Sequence, residues 1–301
     1  MEQNLAEREG IKFFPIPASG LVGKNLLARI GFLYRLIVGT ILCIRIFIKE
    51  RPDSILGAGG YSQIAPLIIA RLFQRPIFLL EQNRIPGRVT RYFSRFAREI
   101  YGGFPIKGRL RSFYYTGNPL RREVVEVKKQ GNAVLILGGS QGSKRLNYEA
   151  LRLASRFPKL KFILLTGRRD YKEIERLNKY PNLSLVEFTL NPGELYSSSK
   201  LVVSRAGGLA ISELLCLGLP SILIPFPYAA DNHQLENARW TTERGASILL
   251  EEKEIDKLGM IISQLWKDRL RLKSLSERAK SLAKPRASEE IVERIVRCLQ
   301  R

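Results

Sequence analysis

Along most of the chain, short apolar runs alternate with longer segments whose apolar residues recur every three or four positions. The short runs predict buried strands at residues 53–56, 76–80 and 113–116, then at 133–137, 162–165, 184–186, 201–203 and 221–224. Helical patterns lie between them, at 62–73, from a loop at 83–87 to about residue 98, from about residue 144, and over 255–282. Strands that alternate with helices predict parallel βαβ units. A polar, aperiodic stretch at 123–131 separates two such series, so the fold class is α/β with two doubly wound, Rossmann-like domains. The domains are residues 1–122 and 132–285, with 123–131 as linker. Pro285 breaks the last long helical pattern, and an amphipathic helix with Glu289 and Glu290 in its first turn follows within 286–301.

One segment is apolar beyond what a surface helix needs. Residues 30–48 are interrupted only by Arg35, Arg45 and a few small or polar positions. Two arginines in so short a run oppose spanning, since each costs about 2.5–3.5 kcal/mol near a bilayer centre. The segment reads either as a buried amphipathic helix or as one lying in a membrane interface. The opening residues are acidic and polar, with no apolar signal core.

Charge sharpens this picture. The 301 residues carry 50 Lys+Arg against 28 Asp+Glu, a net of +22. Residues 1–121 hold 19 basic and 7 acidic side chains, a net of +12, so the excess is densest in the first domain. Such an excess points to a polyanion: nucleic acid, an acidic membrane surface or phosphorylated substrates. A hydrophobic content of 45% excludes intrinsic disorder. Cys43, Cys216 and Cys298 lie far apart, which excludes a disulfide scaffold and a cysteine-built zinc site, and His233 is the only histidine. Aromatics do not interleave with basic residues on strands, and no nucleic-acid reader motif occurs, so nucleic acid is not expected as a partner.

Three motifs carry candidate chemistry. Leu137-Gly138-Gly139-Ser140-Gln141-Gly142-Ser143 is a strand end, a glycine-rich turn and a helix start. Its free N–H groups suit anionic oxygens, although a plain tight turn would look alike. Ser204-Arg205-Ala206-Gly207-Gly208 repeats the arrangement, with Glu213 farther along the helix. A carboxylate there can accept paired hydrogen bonds from ribose hydroxyls; the plainer reading is an exposed helix glutamate. Asp231-Asn232-His233-Gln234 is a polar cluster after the next strand, where open α/β sheets bind ligands.

In order and over nearly the whole chain, these motifs resemble MurG-type GT-B glycosyltransferases. Gly57-Ala58-Gly59-Gly60-Tyr61 resembles the family's GxGGY loop, Glu81-Gln82-Asn83 with Pro86-Gly87 its HEQNxxPG segment, and Gly117-Asn118-Pro119-Leu120-Arg121 its GNPVR. The resemblance implies transfer of N-acetylglucosamine from UDP-N-acetylglucosamine to the muramyl sugar of an undecaprenyl-pyrophosphoryl peptide, in peptidoglycan synthesis, with inversion. It implies that Gly139, Ser140, Gln141, Gly142, Gly207 and Gly208 border the diphosphate, Glu213 the ribose, and His233 and Gln234 the sugar. Arg121 would lie near the donor between the domains; Gly59, Gly60, Tyr61 and Asn83 would line the acceptor side. The last helix would cross back to the first domain. No Asp-x-Asp motif occurs, so neither a metal nor a cofactor is expected; UDP-N-acetylglucosamine is a substrate.

The departures are specific. The family opens with a strand and a GGTGGH loop, whose histidine is a candidate base, and this chain has no such segment. A first strand-loop-helix unit is therefore expected to be missing, through a misplaced start, a second polypeptide or loss of activity. Of these a misplaced start is favoured, because an N-terminal sheet without its first strand exposes an apolar edge. Leu80 replaces the histidine of HEQN and Ala210 a threonine. Glu81 is then the remaining acid/base candidate. Arg84, Arg88, Arg91, Arg95 and Arg98 recur at steps of four and three, predicting one helical stripe that faces anionic lipid. With the apolar helix, the stripe suggests a peripheral protein on the cytoplasmic face of the membrane, its further partners open to cell-wall and division proteins. The rival reading is a membrane-associated subunit that binds the UDP-sugar without turnover.

Overall fold

The computed structural model describes residues 3, 6–7, 9–17, 26–127, 131–139 and 142–300. A 25-residue helix, α1 (Leu26–Glu50), leads into the first sheet, whose strands are β1 (Ile55–Gly57), β2 (Ile77–Glu81), β3 (Ala97–Gly102) and β4 (Phe113–Tyr115). They lie in sequence order, each parallel to the next. Parallel neighbours need crossovers, and α2 (Ile64–Leu72) and α3 (Arg88–Phe93) supply the first two. Cys43, Phe47, Leu67, Ile69, Ile77, Leu79 and Ile100 form the core under these helices.

The second sheet holds β5 (Ala133–Leu137), β6 (Lys161–Leu165), β7 (Leu183–Val186), β8 (Ser199–Ser204), β9 (Ser221–Leu223) and β10 (Ile248–Leu249). Its order is β10-β9-β8-β5-β6-β7, all parallel. Val134, Ile136 and Val203 pack on one face and Leu135, Leu137 and Val202 on the other, so β5 is buried on both sides. That is why it reads as an unbroken apolar run. The helices on these faces are α5 (Lys144–Arg156), α6 (Tyr171–Leu177), α7 (Gly193–Ser197), α8 (Gly208–Leu217), α9 (His233–Thr242), α10 (Leu258–Lys267) and α11 (Arg269–Ser281). The short α4 (Arg122–Val125) joins the sheets, within the stretch expected to be linker; residues 128–130 lie outside the described residues.

The last helix, α12 (Ala287–Leu299), packs on the first sheet. Ile291 packs with Phe78, Leu80 and Tyr101, and Arg294 Nε donates to Glu99 Oε2 at 2.9 Å. It covers the face that α2 and α3 leave open. Two element expectations are corrected, and one strand was not expected. The helix expected to about residue 98 ends at Phe93, and 97–102 is β3, because Ile100 and Tyr101 are needed in the sheet. The helix expected over 255–282 is two helices, split at Asp268, whose carboxylate accepts the Arg271 N–H at 2.8 Å. The two-residue β10 carried no strand signal.

On α1, Leu33, Tyr34, Ile37, Ile41 and Ile48 are exposed while Cys43 and Phe47 are buried. Within residues 31–50 an 18-residue window reaches a mean hydropathy of 1.9, and the segment is long and apolar enough to cross a membrane by length and composition. Among the described residues β1 is an edge strand, with Leu56 42% exposed.

Candidate active site

In the second sheet the chain runs from β5 outward to β6 and β7, then returns to place β8 on the other side of β5. Open α/β sheets bind ligands at the carboxyl ends of the strands flanking such a reversal. The loops there are the two glycine-rich motifs, after β5 and after β8. Gly139 (φ 84°) and Gly142 (φ 75°) adopt left-handed backbone. A Cβ on Gly142 would lie 2.4 Å from the Thr166 carbonyl oxygen, so the loop needs glycine for conformation and for space. Ser143 caps α5, its Oγ accepting the Leu146 N–H. Ser140 and Gln141 lie outside the described residues.

Arg205 joins these loops. Its side chain is 9% exposed; Nη2 donates to Ser143 Oγ at 2.7 Å and pairs with Glu252, and Nη1 reaches the carbonyls of Ile224 and Pro225, both at 3.3 Å. One guanidinium thus fixes the ends of β5, β8 and β9 before any ligand arrives.

Glu213 lies on α8, half-buried rather than exposed. The buried Tyr196 hydroxyl donates to its Oε2 at 2.6 Å. Burial raises the Glu213 pKa above the ordinary 4.5, against the Tyr196 hydrogen bond and the Arg121 charge, which lower it. Arg121 also donates through Nη1 to the Leu190 carbonyl, so it stands between the sheets beside Glu213. His233 Nδ1 is 2.7 Å from the Ala230 carbonyl, and Gln234 Oε1 accepts the Phe226 N–H at 2.9 Å. Asp231 and Asn232 just before them are left-handed, with φ of 51° and 54°.

The first sheet sends its own strand-end loops to the same cleft. Gly59 (φ 95°) and Gly60 (φ 78°) follow β1, and the Gly59 N–H donates to Gln63 Oε1 at 3.1 Å. Tyr61 lines a small cavity together with Phe32 and Leu36 of α1. Glu81, the acid/base candidate, is 5% exposed and both its oxygens are engaged. Oε1 accepts the Asn83 N–H at 3.1 Å and Oε2 the Gly87 N–H at 2.8 Å. The structure therefore makes Glu81 the clamp of the 83–87 loop and not a carboxylate open to a hydroxyl.

The two loop sets touch. Asn237 Nδ2 donates to Asn83 Oδ1 at 2.9 Å, its Oδ1 accepts the Arg84 N–H at 2.9 Å, and Asn118 Nδ2 donates to Ser212 Oγ at 2.9 Å. The single arginine stripe is corrected. Only Arg88 and Arg91 belong to α3; Arg84 lies in the preceding loop, Arg95 in the turn after it and Arg98 on β3. Arg91 turns to the second domain, where Nη2 meets Asp231 Oδ2 at 2.7 Å.

Models of the glycosyltransferase family 28 N-terminal and C-terminal domains match residues 1–102 and 133–291. A UDP-N-acetylglucosamine--N-acetylmuramyl-(pentapeptide) pyrophosphoryl-undecaprenol N-acetylglucosamine transferase of Sulfurihydrogenibium sp. is 34% identical over 293 residues, 93% of this chain and 82% of its own. The chain belongs to glycosyltransferase family 28. Its kinship is with the MurG-type members: the namesake enzyme of Nitrosospira multiformis is 35% identical over 97% of this chain and 86% of its own. The crystal structure of Acinetobacter baumannii MurG superposes with a TM-score of 0.75, at 24% identity, over 99% of this chain and 88% of that one, which shows the shared GT-B fold.

Sequence reasoning about family 28 residues missed Tyr196, Arg205 and Asn237. Arg205 was visible beside the second glycine loop, but nothing marked it as the tie between loops. Replacing Tyr196 by Phe removes a hydrogen bond that lowers the Glu213 pKa, so that pKa rises further. If ionised Glu213 holds the donor, affinity falls as pH drops through its pKa. The pH at half-maximal UDP-N-acetylglucosamine affinity is then higher for Tyr196→Phe than for wild type. Calorimetric titrations across pH check this, and coincident profiles would contradict it.

Proposed function

We propose that this chain transfers N-acetylglucosamine from UDP-N-acetylglucosamine to the muramyl sugar of a polyprenyl-diphosphate-linked peptide, a step of peptidoglycan synthesis. The observation that carries this reading is the meeting of two glycine loops at the sheet reversal, with Glu213 beside them and the 59–61 and 82–84 loops opposite. The N–H groups at the starts of α5 and α8 hold the diphosphate, Glu213 the ribose, and His233 and Gln234 the sugar. The acceptor hydroxyl attacks the anomeric carbon, the bond to the diphosphate oxygen breaks, UDP leaves with inversion, and the hydroxyl proton passes to solvent water. Helix N-termini and oriented N–H groups stabilise the charge that builds on the leaving oxygen. Glu81 acts by positioning the 83–87 loop against the acceptor, and Arg121, after the Tyr196 hydrogen bond, opposes the rise that burial imposes on the Glu213 pKa. A non-catalytic subunit is not favoured, because both loop sets are present and the matched relatives are named as transferases.

The exposed apolar row of α1, with Arg88 and Arg95, would rest on an anionic surface on the cytoplasmic side, each basic residue contributing about 1 kcal/mol. Co-sedimentation with phosphatidylglycerol vesicles that fails to weaken at high salt would contradict that. The donor half is tested by titrating UDP-N-acetylglucosamine: saturable binding that Glu213→Ala weakens is expected, and no affinity would overturn the reading.

A further inference from the structure

The second domain has a groove at the end of its sheet opposite the glycine loops. It follows from the alternation of side chains along the strands. Phe162 and Leu164 of β6, with Leu183 and Leu185 of β7, face the core under α5 and α10. Lys161, Ile163 and Ser184 therefore face the other side, with Ile163 and Ser184 in register. There the crossover from β7 to β8 is α7, whose five residues are too few to cover both strands. Lys161 and Ser184 are left exposed, and a groove of about 850 Å³ opens over them. That volume is within the range of small-molecule sites.

Its walls are fixed before anything binds. Asn182 Nδ2 donates to the carbonyls of Ala154, Phe157 and Leu160 at 3.2, 3.1 and 2.9 Å, which holds the turn carrying Pro158 and Lys159. Opposite, the Gly131 N–H donates to the Ser197 carbonyl at 2.8 Å. A Cβ on Gly131 would run into the Ser198 backbone, so these two segments close backbone to backbone. The lining then selects a ligand class. Lys159 and Lys161 line the groove, no acidic residue does, and among the described residues neither lysine is in an ion pair. Two ammonium groups without a counter-charge favour an oxyanion. Asn132 and Ser184 add exposed polar side chains that can meet hydroxyls, and Pro158, Ile163 and Pro181 add apolar surface for a carbon skeleton. The aromatic residue of the lining, Phe162, is 1% exposed with its ring in the core, so no ring is offered to a nucleobase. A bare phosphate leaves most of the volume empty, and a neutral sugar leaves both lysines unused.

We propose that this groove is a second ligand site, for a small phosphorylated sugar or polyol, with Lys159 and Lys161 on the phosphate and Asn132 and Ser184 on hydroxyls. The five residues of β5, about 16 Å at about 3.3 Å per residue, separate it from the first glycine loop. Its occupant and UDP-N-acetylglucosamine therefore bind at the same time. The site belongs to the second domain alone and does not depend on the transfer reading.

The test is to titrate the chain with glucose 6-phosphate, glucose and inorganic phosphate, each in the presence of excess UDP. Glucose 6-phosphate should bind at least about tenfold more tightly than either of the others, the scale of one added hydrogen bond to a charged group. Replacing both lysines, Lys159→Ala with Lys161→Ala, should weaken it by at least about tenfold. Ser184→Trp fills the groove from an exposed position and leaves every charge in place. It should remove the preference over inorganic phosphate while affinity for UDP-N-acetylglucosamine stays as in wild type, and it keeps the test decisive if the lysine variant folds poorly. No preference in wild type, displacement of glucose 6-phosphate by UDP, or wild-type affinity in either folded variant would overturn the site. Because the readout is binding, it stands apart from transfer: a protein that transfers nothing yet binds the sugar phosphate in this way would contradict the proposed function and leave the second site supported.

Discussion

Gly208→Ala is expected to reduce transfer about 100-fold while leaving UDP-N-acetylglucosamine affinity close to wild type, the scale on which a misplacement of about 1 Å acts. Gly208 starts α8 at the point where the second domain touches the first. A Cβ there would lie 2.1 Å from the Gln82 carbonyl oxygen and 2.9 Å from its carbonyl carbon. Both are backbone atoms of a loop fixed by Glu81, so no side chain can swing away. The methyl group can be admitted only if the domains part. Alanine keeps the helix-start N–H for the diphosphate, so donor binding persists while the acceptor loops move out of reach. Parallel calorimetry and transfer assays separate the two effects. Wild-type transfer would show that the contact is not needed for turnover.

Glu213→Ala is expected to weaken UDP-N-acetylglucosamine binding by about 10- to 100-fold, since a hydrogen bond to a charged group contributes about 1.5–3 kcal/mol. Tyr196 occupies Oε2 and leaves Oε1 for a hydroxyl. The substitution also strips the buried Tyr196 hydroxyl of its acceptor, at about 1–3 kcal/mol of stability. Glu213→Gln separates the two, because the amide can still accept from Tyr196 but carries no charge. Affinity lost in both variants with stability lost mainly in the alanine form is the expected pattern. Unchanged affinity in either would remove Glu213 from the donor site.

What could be read from the sequence follows from how local each feature is. The glycine loops were legible because left-handed turns and strand-to-helix reversals require glycine at fixed positions, as Gly139 and Gly142 show. The buried strands of the second sheet were legible because both faces are covered. The arginine spacing misled, since steps of three and four imitate a helix through Ser94, Arg95 and Phe96, where the chain turns into β3. Tyr196 and Asn237 were not legible, because each acts on a partner brought close only by folding: Tyr196 on Glu213, Asn237 on Asn83 across the domains. Glu81 was legible as an acid/base candidate, but its tie to the 83–87 loop was not. A carboxylate that clamps a loop and one that takes a proton leave the same trace in a sequence, and the two backbone N–H donors on Glu81 come close only on folding.

The central claim is that the two loop sets form one transferase site. Its most direct test is to incubate the chain with UDP-N-acetylglucosamine and a short-chain lipid-linked muramyl diphosphate, following UDP release and the disaccharide product together. One disaccharide of inverted anomeric configuration for each UDP released is the predicted result. Tight binding of the UDP-sugar with no disaccharide formed would contradict the claim.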